Sequence, residues 1–97
     1  MSVETHTGIS YMNRPGGVLK AVIAGSRIRV SQIAIEHEQL GMTAEEIQEA
    51  HPHIKLYQIH DALAYYFRHK AEIDREIKED EKTVRKFAKK YGIAHTA

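Results

Sequence analysis

The sequence predicts a mainly α protein, with an N-terminal β-hairpin, a helix-turn-helix core and a long C-terminal helix. A capped helical segment begins at Thr43 and ends near Pro52, and a second apolar stripe at helical spacing starts at Leu56. Two helices joined by so few residues must turn sharply on each other, which is typical of a helix-turn-helix. Before them, Gly25 interrupts two short apolar runs, as in a β-hairpin.

The hairpin is predicted from the runs at residues 21–24 and 27–30, which flank Gly25-Ser26. A two-residue loop that starts with glycine suits a type II′ turn. In that register Ile23 faces Ile28 on one apolar face. Because an isolated two-stranded ribbon is only marginally stable in water, it must pack on the helices or on another subunit.

Three short helices are expected to follow the hairpin. Ser31 is the predicted N-cap of the first helix, which runs to Leu40, and Gly41 supplies the left-handed residue that ends it. Thr43 and Glu46 form a capping box in which each side chain accepts a hydrogen bond from the other residue's backbone N–H. The third helix begins at the apolar stripe described above.

The helical pattern continues far beyond the core. From residue 56 to residue 91, seam positions recur at alternating steps of three and four, with Lys70 and Asp80 as the polar members. Such a seam needs a partner surface, which is the body of the domain, a second copy or another protein. We expect a homodimer. The predicted dimer or partner interface consists of Leu63, Tyr66, Ile73, Ile77, Val84 and Phe87.

The same patterns divide the chain into three parts. Residues 1–14 are predicted to be a flexible N-terminal segment, in which residues 9–11 alternate weakly and favour a short strand. Residues 15–68 form the hairpin and the helix-turn-helix core. Residues 69–97 form the C-terminal helical extension.

Composition excludes several classes of protein. The chain of 97 residues has a net charge of +1, so no overall field favours nucleic acid or a membrane. Without cysteine it has no disulfides, no thiol catalysis and no cysteine-bound metal. The first residues lack the pattern of a signal peptide, and no apolar run is long enough to span a bilayer. We therefore expect a cytoplasmic protein.

The motifs KAVIAGSRIRV and GMTAEEIQEAHPHIKLYQIHDALAYY resemble domain-of-unknown-function family 433 over roughly residues 15–68. The matching residues are Lys20, Ile23, Gly25, Arg27, Ile28, Val30, Gly41, Glu45, Glu46, Ile47, Pro52, Ile59, Ala62, Leu63 and Tyr65. The chain departs from the family pattern at Leu19, Ala21, Ser26 and Arg29. The resemblance implies a homeodomain-like three-helix fold. It also implies an antitoxin-like role, because some members resemble the DNA-binding antitoxins that accompany PIN-type nuclease toxins.

Two groups of residues are candidates for DNA binding. A basic cluster lies on or near the ribbon, and the start of the third helix carries polar residues able to read bases or phosphates. The alternative is a solvated surface, and three glutamates on the preceding helix (45, 46 and 49) count against a DNA footprint. The candidate DNA-binding residues are Arg14, Lys20, Arg27, Arg29, Lys55, Tyr57 and Gln58.

No catalytic residue, metal ligand or cofactor is predicted. The histidines and carboxylates lack the spacing of a metal site, and no nucleophile stands beside a base. The favoured interpretation is therefore a non-enzymatic DNA-binding or antitoxin-like module that acts as a homodimer. The alternative is a protein-interaction subunit of similar fold that does not bind DNA.

Overall fold

The computed structural model describes residues 8–13 and 19–91. Two antiparallel strands precede four helices, so the predicted fold class is confirmed. The first helix continues as a single π-helical segment, Ile35–Gln39. The elements are β1 (Ile9–Asn13), β2 (Leu19–Ile23), α1 (Val30–Ala34), α2 (Ala44–Ala50), α3 (Leu56–Arg68) and α4 (Lys70–Tyr91).

The ribbon is built from β1 and β2, in a register that pairs Ile9 with Ile23 and Tyr11 with Ala21. The hairpin predicted over residues 21–30 forms only next to its turn: the Ile23 N–H donates to the Ile28 carbonyl oxygen at 2.8 Å, in the predicted register, but residues 27–30 do not form a strand. β1 pairs along one edge of β2, and the segment after Gly25 contacts the opposite edge, where it makes a single bridge, between Val22 and Arg29. The segment predicted to be flexible, 1–14, thus contains a strand.

The turn after β2 explains why the second predicted strand does not form. The backbone N–H of Ser26 donates to the Ile23 carbonyl oxygen at 3.0 Å, so Ala24 and Gly25 are the central residues. Gly25 has φ +78°, which suits the third position of a type II turn instead of the predicted type II′ turn. The chain then turns into α1 at Val30, which leaves no length for a strand.

α1 begins one residue earlier than predicted. Arg29 is its N-cap and Ser31 lies buried inside the first turn, so the capping role predicted for Ser31 is wrong. In the π-helical segment the Leu40 N–H donates to the Ile35 carbonyl oxygen at 3.1 Å. The predicted stop is confirmed, because Gly41 has φ +69°.

The helix-turn-helix begins with the predicted capping box. The Glu46 N–H donates to Thr43 Oγ1 at 3.1 Å, and the Thr43 N–H donates to Glu46 Oε1 at 2.8 Å. α2 ends at Ala50, just before Pro52, as the proline predicts. At the start of α3 the Lys55 N–H donates to Gln58 Oε1 at 2.9 Å, so this side chain caps the helix.

The seam does not lie on one helix, because α3 ends at Arg68, His69 is its C-cap, and α4 begins at Lys70. The first half of α4 turns back onto the domain, where Ile73 and Ile77 join the buried core. The predicted boundary at residue 68 therefore does not separate the core from the extension. No helix within residues 8–13 and 19–91 has both the length and the apolar character of a membrane span. The core residues are Ala21, Ile23, Val30, Ile33, Ala34, Ala44, Ile47, Ile54, Ile59, Ala62, Leu63, Tyr65, Tyr66, Ile73 and Ile77.

Candidate functional site

Acidic residues of α4 pair with two cations of the basic cluster that was predicted on the ribbon. The Arg29 guanidinium donates to Asp80 Oδ2 at 2.9 Å and lies 3.6 Å from Glu76 Oε2. Lys20 Nζ lies 3.9 Å from Glu76 Oε1. Because carboxylates neutralise these cations, Lys20 and Arg29 do not present a free positive patch. Arg14 lies outside the described residues.

The remaining DNA candidates do not form one surface. Arg27 is exposed on the loop after β2, and Lys55 is exposed just before α3. Gln58 is half-buried, because its amide caps α3 and its Nε2 lies 3.5 Å from the Ala24 carbonyl oxygen. To read a base, the Gln58 side chain would have to break both of these contacts. Of the two candidates within α3, Tyr57 is the exposed one.

The outward side of α3 carries a stripe that the sequence interpretation missed. Tyr57 is 63% exposed and Phe67 is 51% exposed. The ring of His37 meets that of Phe67 edge-on at 6.3 Å between centroids. At 100° per residue, positions 57, 60, 64, 67 and 68 of α3 lie on one side of the helix. We call this set the α3 surface; it consists of Tyr57, His60, Ala64, Phe67 and Arg68.

The helix before the α3 surface is acidic. Glu45, Glu46 and Glu49 are all exposed on α2. A phosphate backbone brought against α3 would approach these carboxylates. Large exposed apolar side chains are instead typical of a protein-binding surface, where aromatic residues contribute much of the affinity. The arrangement therefore favours a protein ligand over DNA at the α3 surface.

A concave surface lies between the ribbon and α4. This open groove of about 890 Å³ is lined by apolar and aromatic residues, among them Tyr11, Leu19, Tyr65 and Ile73, and by charged residues of α4, among them Glu76. The Glu76 side chain is 92% buried, and its Oε2 accepts no hydrogen bond from the residues that the structure describes, although Arg29 lies nearby as a counter-ion. The buried carboxylate thus serves chiefly to hold Lys20 of β2 and Arg29 at the start of α1 against α4.

The Tyr65 hydroxyl, which lines the groove, is poorly suited to proton transfer near neutral pH. The Tyr65 hydroxyl accepts a hydrogen bond of 3.1 Å from the Tyr11 hydroxyl. Burial, followed by this hydrogen bond to Tyr11, raises the pKa of Tyr65 well above its ordinary value. A general acid or base is most effective when its pKa lies near the working pH. Tyr65 is therefore a structural hydroxyl and a poor catalyst.

Of the six predicted interface residues, four are buried within the chain itself. Leu63, Tyr66, Ile73 and Ile77 belong to the core, so the surface that they pack against is the body of the domain, one of the three that the seam left open. They are buried because α4 folds back on the domain after the break at His69. The other two, Val84 and Phe87, are 54% and 56% exposed.

The histidines and carboxylates are dispersed or paired. In the part of the chain that the structure describes, no group of three or more could hold a metal ion. His51 Nε2 lies 3.0 Å from Glu36 Oε1, and Gln32 Nε2 donates to Glu36 Oε2 at 2.7 Å. These contacts tie α1 to the end of α2 and have a structural role.

Comparison with known proteins agrees with the motif similarity. Residues 19–66 match the model of a family described as protein of unknown function (DUF433). This segment extends from the first residue of β2 to Tyr66 in α3. Neither a curated protein nor a solved structure matches the chain.

Proposed function

Residues 19–66 belong to the DUF433 family, and on that premise we propose that the chain is a non-enzymatic, antitoxin-like module whose ligand is a protein. The observation that carries this proposal is the exposure of Tyr57 and Phe67 on the outward side of α3. In a helix-turn-helix this is the side that would face DNA. Here it carries apolar rings beside an acidic helix, which is unfavourable next to phosphates.

The mode of recognition follows from the helix. Positions 57, 60, 64 and 67 recur at intervals of three and four, so they form a continuous stripe along α3. A partner groove with apolar walls would cover the two rings, while Arg68 at the edge would pair with an acidic group. A PIN-type toxin, suggested by the resemblance, is one protein of the kind that this surface would bind.

The test compares a protein ligand with DNA, using the full chain. Calorimetric titration with the protein encoded beside this one is expected to give a saturable complex. The anisotropy of labelled DNA from its own promoter is expected to change little when the chain is added, both at 50 mM and at 200 mM salt. A tight DNA complex that weakens steeply with salt, without any affinity for the neighbouring protein, would contradict the proposal.

DNA binding is the second candidate, and one observation favours it. The end of α4 is strongly basic, with exposed residues at Lys82, Arg85, Lys86, Lys89 and Lys90. Such a helix end is able to contact phosphates even though the ribbon cations are neutralised. If this is the function, Lys86→Glu/Lys89→Glu will abolish the promoter complex, and Tyr57→Ser will leave it unchanged.

A further inference from the structure

The outer half of α4 continues the apolar face that its first half buries. Val84 and Phe87 follow Ile73 and Ile77 at helical spacing, yet both are more than half exposed. We call Val84 and Phe87 the outer seam. Removing such apolar side chains from water is favourable, so the outer seam is suited to a helix laid against it.

A groove runs beside the outer seam. It has a volume of about 540 Å³, and Ile35, Ile77 and Val84 give it a largely apolar floor. Asp80, Glu81 and Arg85 line its edges. An apolar floor with charged edges is the arrangement that two paired helices require.

The charges along α4 indicate which helix fits. Acidic residues crowd at 79–81, and basic residues follow from Lys82 to Lys90. Parallel pairing of two copies would place acid against acid and base against base. Antiparallel pairing places the acidic turn of each copy against the basic turn of the other, so charge complementarity favours a second copy in that orientation.

We propose that the outer halves of two α4 helices pair antiparallel across a two-fold axis near Val84. In this arrangement Val84 meets Val84 of the second copy, and Phe87 lies level with Glu81 of that copy. An antiparallel two-fold pair brings the same flank of both helices together. Glu81 therefore lies beside Arg85 of the second copy, and the symmetry makes this pair twice.

The outer seam is on a different helix from the α3 surface, so dimer formation is tested without any partner protein. Sedimentation equilibrium of the full chain is expected to show a dimer. Val84→Glu should weaken the dimer by about tenfold or more, because it places a carboxylate on the apolar seam. Ala71→Glu places the same carboxylate at an exposed position in the first half of α4, outside the paired halves, and should leave the dimer intact.

The orientation is tested by exchanging charges. Glu81→Arg and Arg85→Glu should each weaken the dimer, since each creates like-charge pairs across the axis, and the double variant should restore it. Circular dichroism checks that every variant keeps its helix content. Three results would overturn the proposal: a monomeric wild-type chain, a dimer that Val84→Glu leaves intact, or a double variant no tighter than the single ones. If the chain is a monomer and binds vesicles of acidic lipids, the outer seam binds a membrane surface and not a second copy.

Discussion

The Arg29 guanidinium donates a hydrogen bond of 2.9 Å to the Asp80 carboxylate, which lies 51 residues further along the chain. This contact joins the N-cap of α1 to the middle of α4. It neutralises a cation that the sequence had suggested for DNA binding. It also holds the first half of α4 against the domain, and so separates the buried part of the helix from the exposed part.

Asp80→Asn is expected to loosen this attachment. Both side chains are about 30% exposed, so the ion pair should contribute about 0.5–1 kcal/mol to the free energy of unfolding. The melting temperature should fall by roughly 2–8 °C, and the difference should shrink in 1 M salt. Glu79→Gln, which changes an exposed neighbour, is the control. Equal melting temperatures for the two variants would show that the Arg29–Asp80 pair contributes nothing.

Ile77→Ala tests whether α4 belongs to the core. Ile77 is 7% exposed and lies among core residues, so truncation should cost about 2–5 kcal/mol of unfolding free energy in urea. Lys86→Ala, on the exposed side of the same helix, should change it by less than about 0.5 kcal/mol. A similar small effect for both would mean that the domain folds without α4.

Local features of the fold were predictable, because local chemistry determines them. Thr43 and Glu46 reveal a capping box, Pro52 ends α2, and Gly41 ends the first helix whatever the rest of the chain does. The strand partner of β2 was not predictable in this way. β1 pairs along one edge of β2, while the segment after Gly25 meets the opposite edge only briefly, because α1 already begins at Val30.

The surfaces were predicted less well than the elements. The heptad pattern correctly identified apolar positions, but it gave no sign that His69 would break the helix and fold the seam in two. Charge pairs between distant residues, such as Arg29 with Asp80, depend on tertiary structure and leave no local pattern. The α3 surface did leave a local pattern in the sequence, since Tyr57, Ala64 and Phe67 recur at helical spacing opposite the core stripe.

Thr43→Ala should destabilise the helix-turn-helix. The variant loses the acceptor for the Glu46 N–H, which typically costs about 1 kcal/mol, within a range of roughly 0.5–2 kcal/mol. Thermal melting should show a fall of about 4–8 °C per kcal/mol. Thr43→Ser keeps the acceptor oxygen and should melt near the wild type. If serine is as harmful as alanine, the methyl group matters and the hydrogen bond does not.

Asp74→Asn should change the acid stability of the domain. The Lys70 ammonium at 2.8 Å, followed by the Tyr66 hydroxyl at 2.8 Å, lowers the pKa of the Asp74 carboxyl below its ordinary value. A lowered folded-state pKa means that this stabilisation is present above the unfolded-state pKa of about 3.9. It is lost as the pH falls through the folded-state pKa.

The matching measurement is the free energy of unfolding between pH 6 and pH 2. Wild type should lose stability over the acidic part of this range more steeply than Asp74→Asn. At neutral pH the variant should be less stable by under about 1 kcal/mol, because the carboxylate is 39% exposed and solvent screens it. Parallel curves for the two proteins would rule out this contribution of Asp74.

The central claim is that the outward side of α3 binds a protein. Its most direct test is calorimetric titration of the full chain and of Tyr57→Ser/Phe67→Ser with the protein encoded beside it. We expect the double variant to weaken the complex by about 100-fold, as the loss of two aromatic anchors should. Leu19→Ser, which changes a residue 59% exposed on the ribbon, should bind as the wild type does. A double variant that binds as tightly as the wild type would contradict the claim.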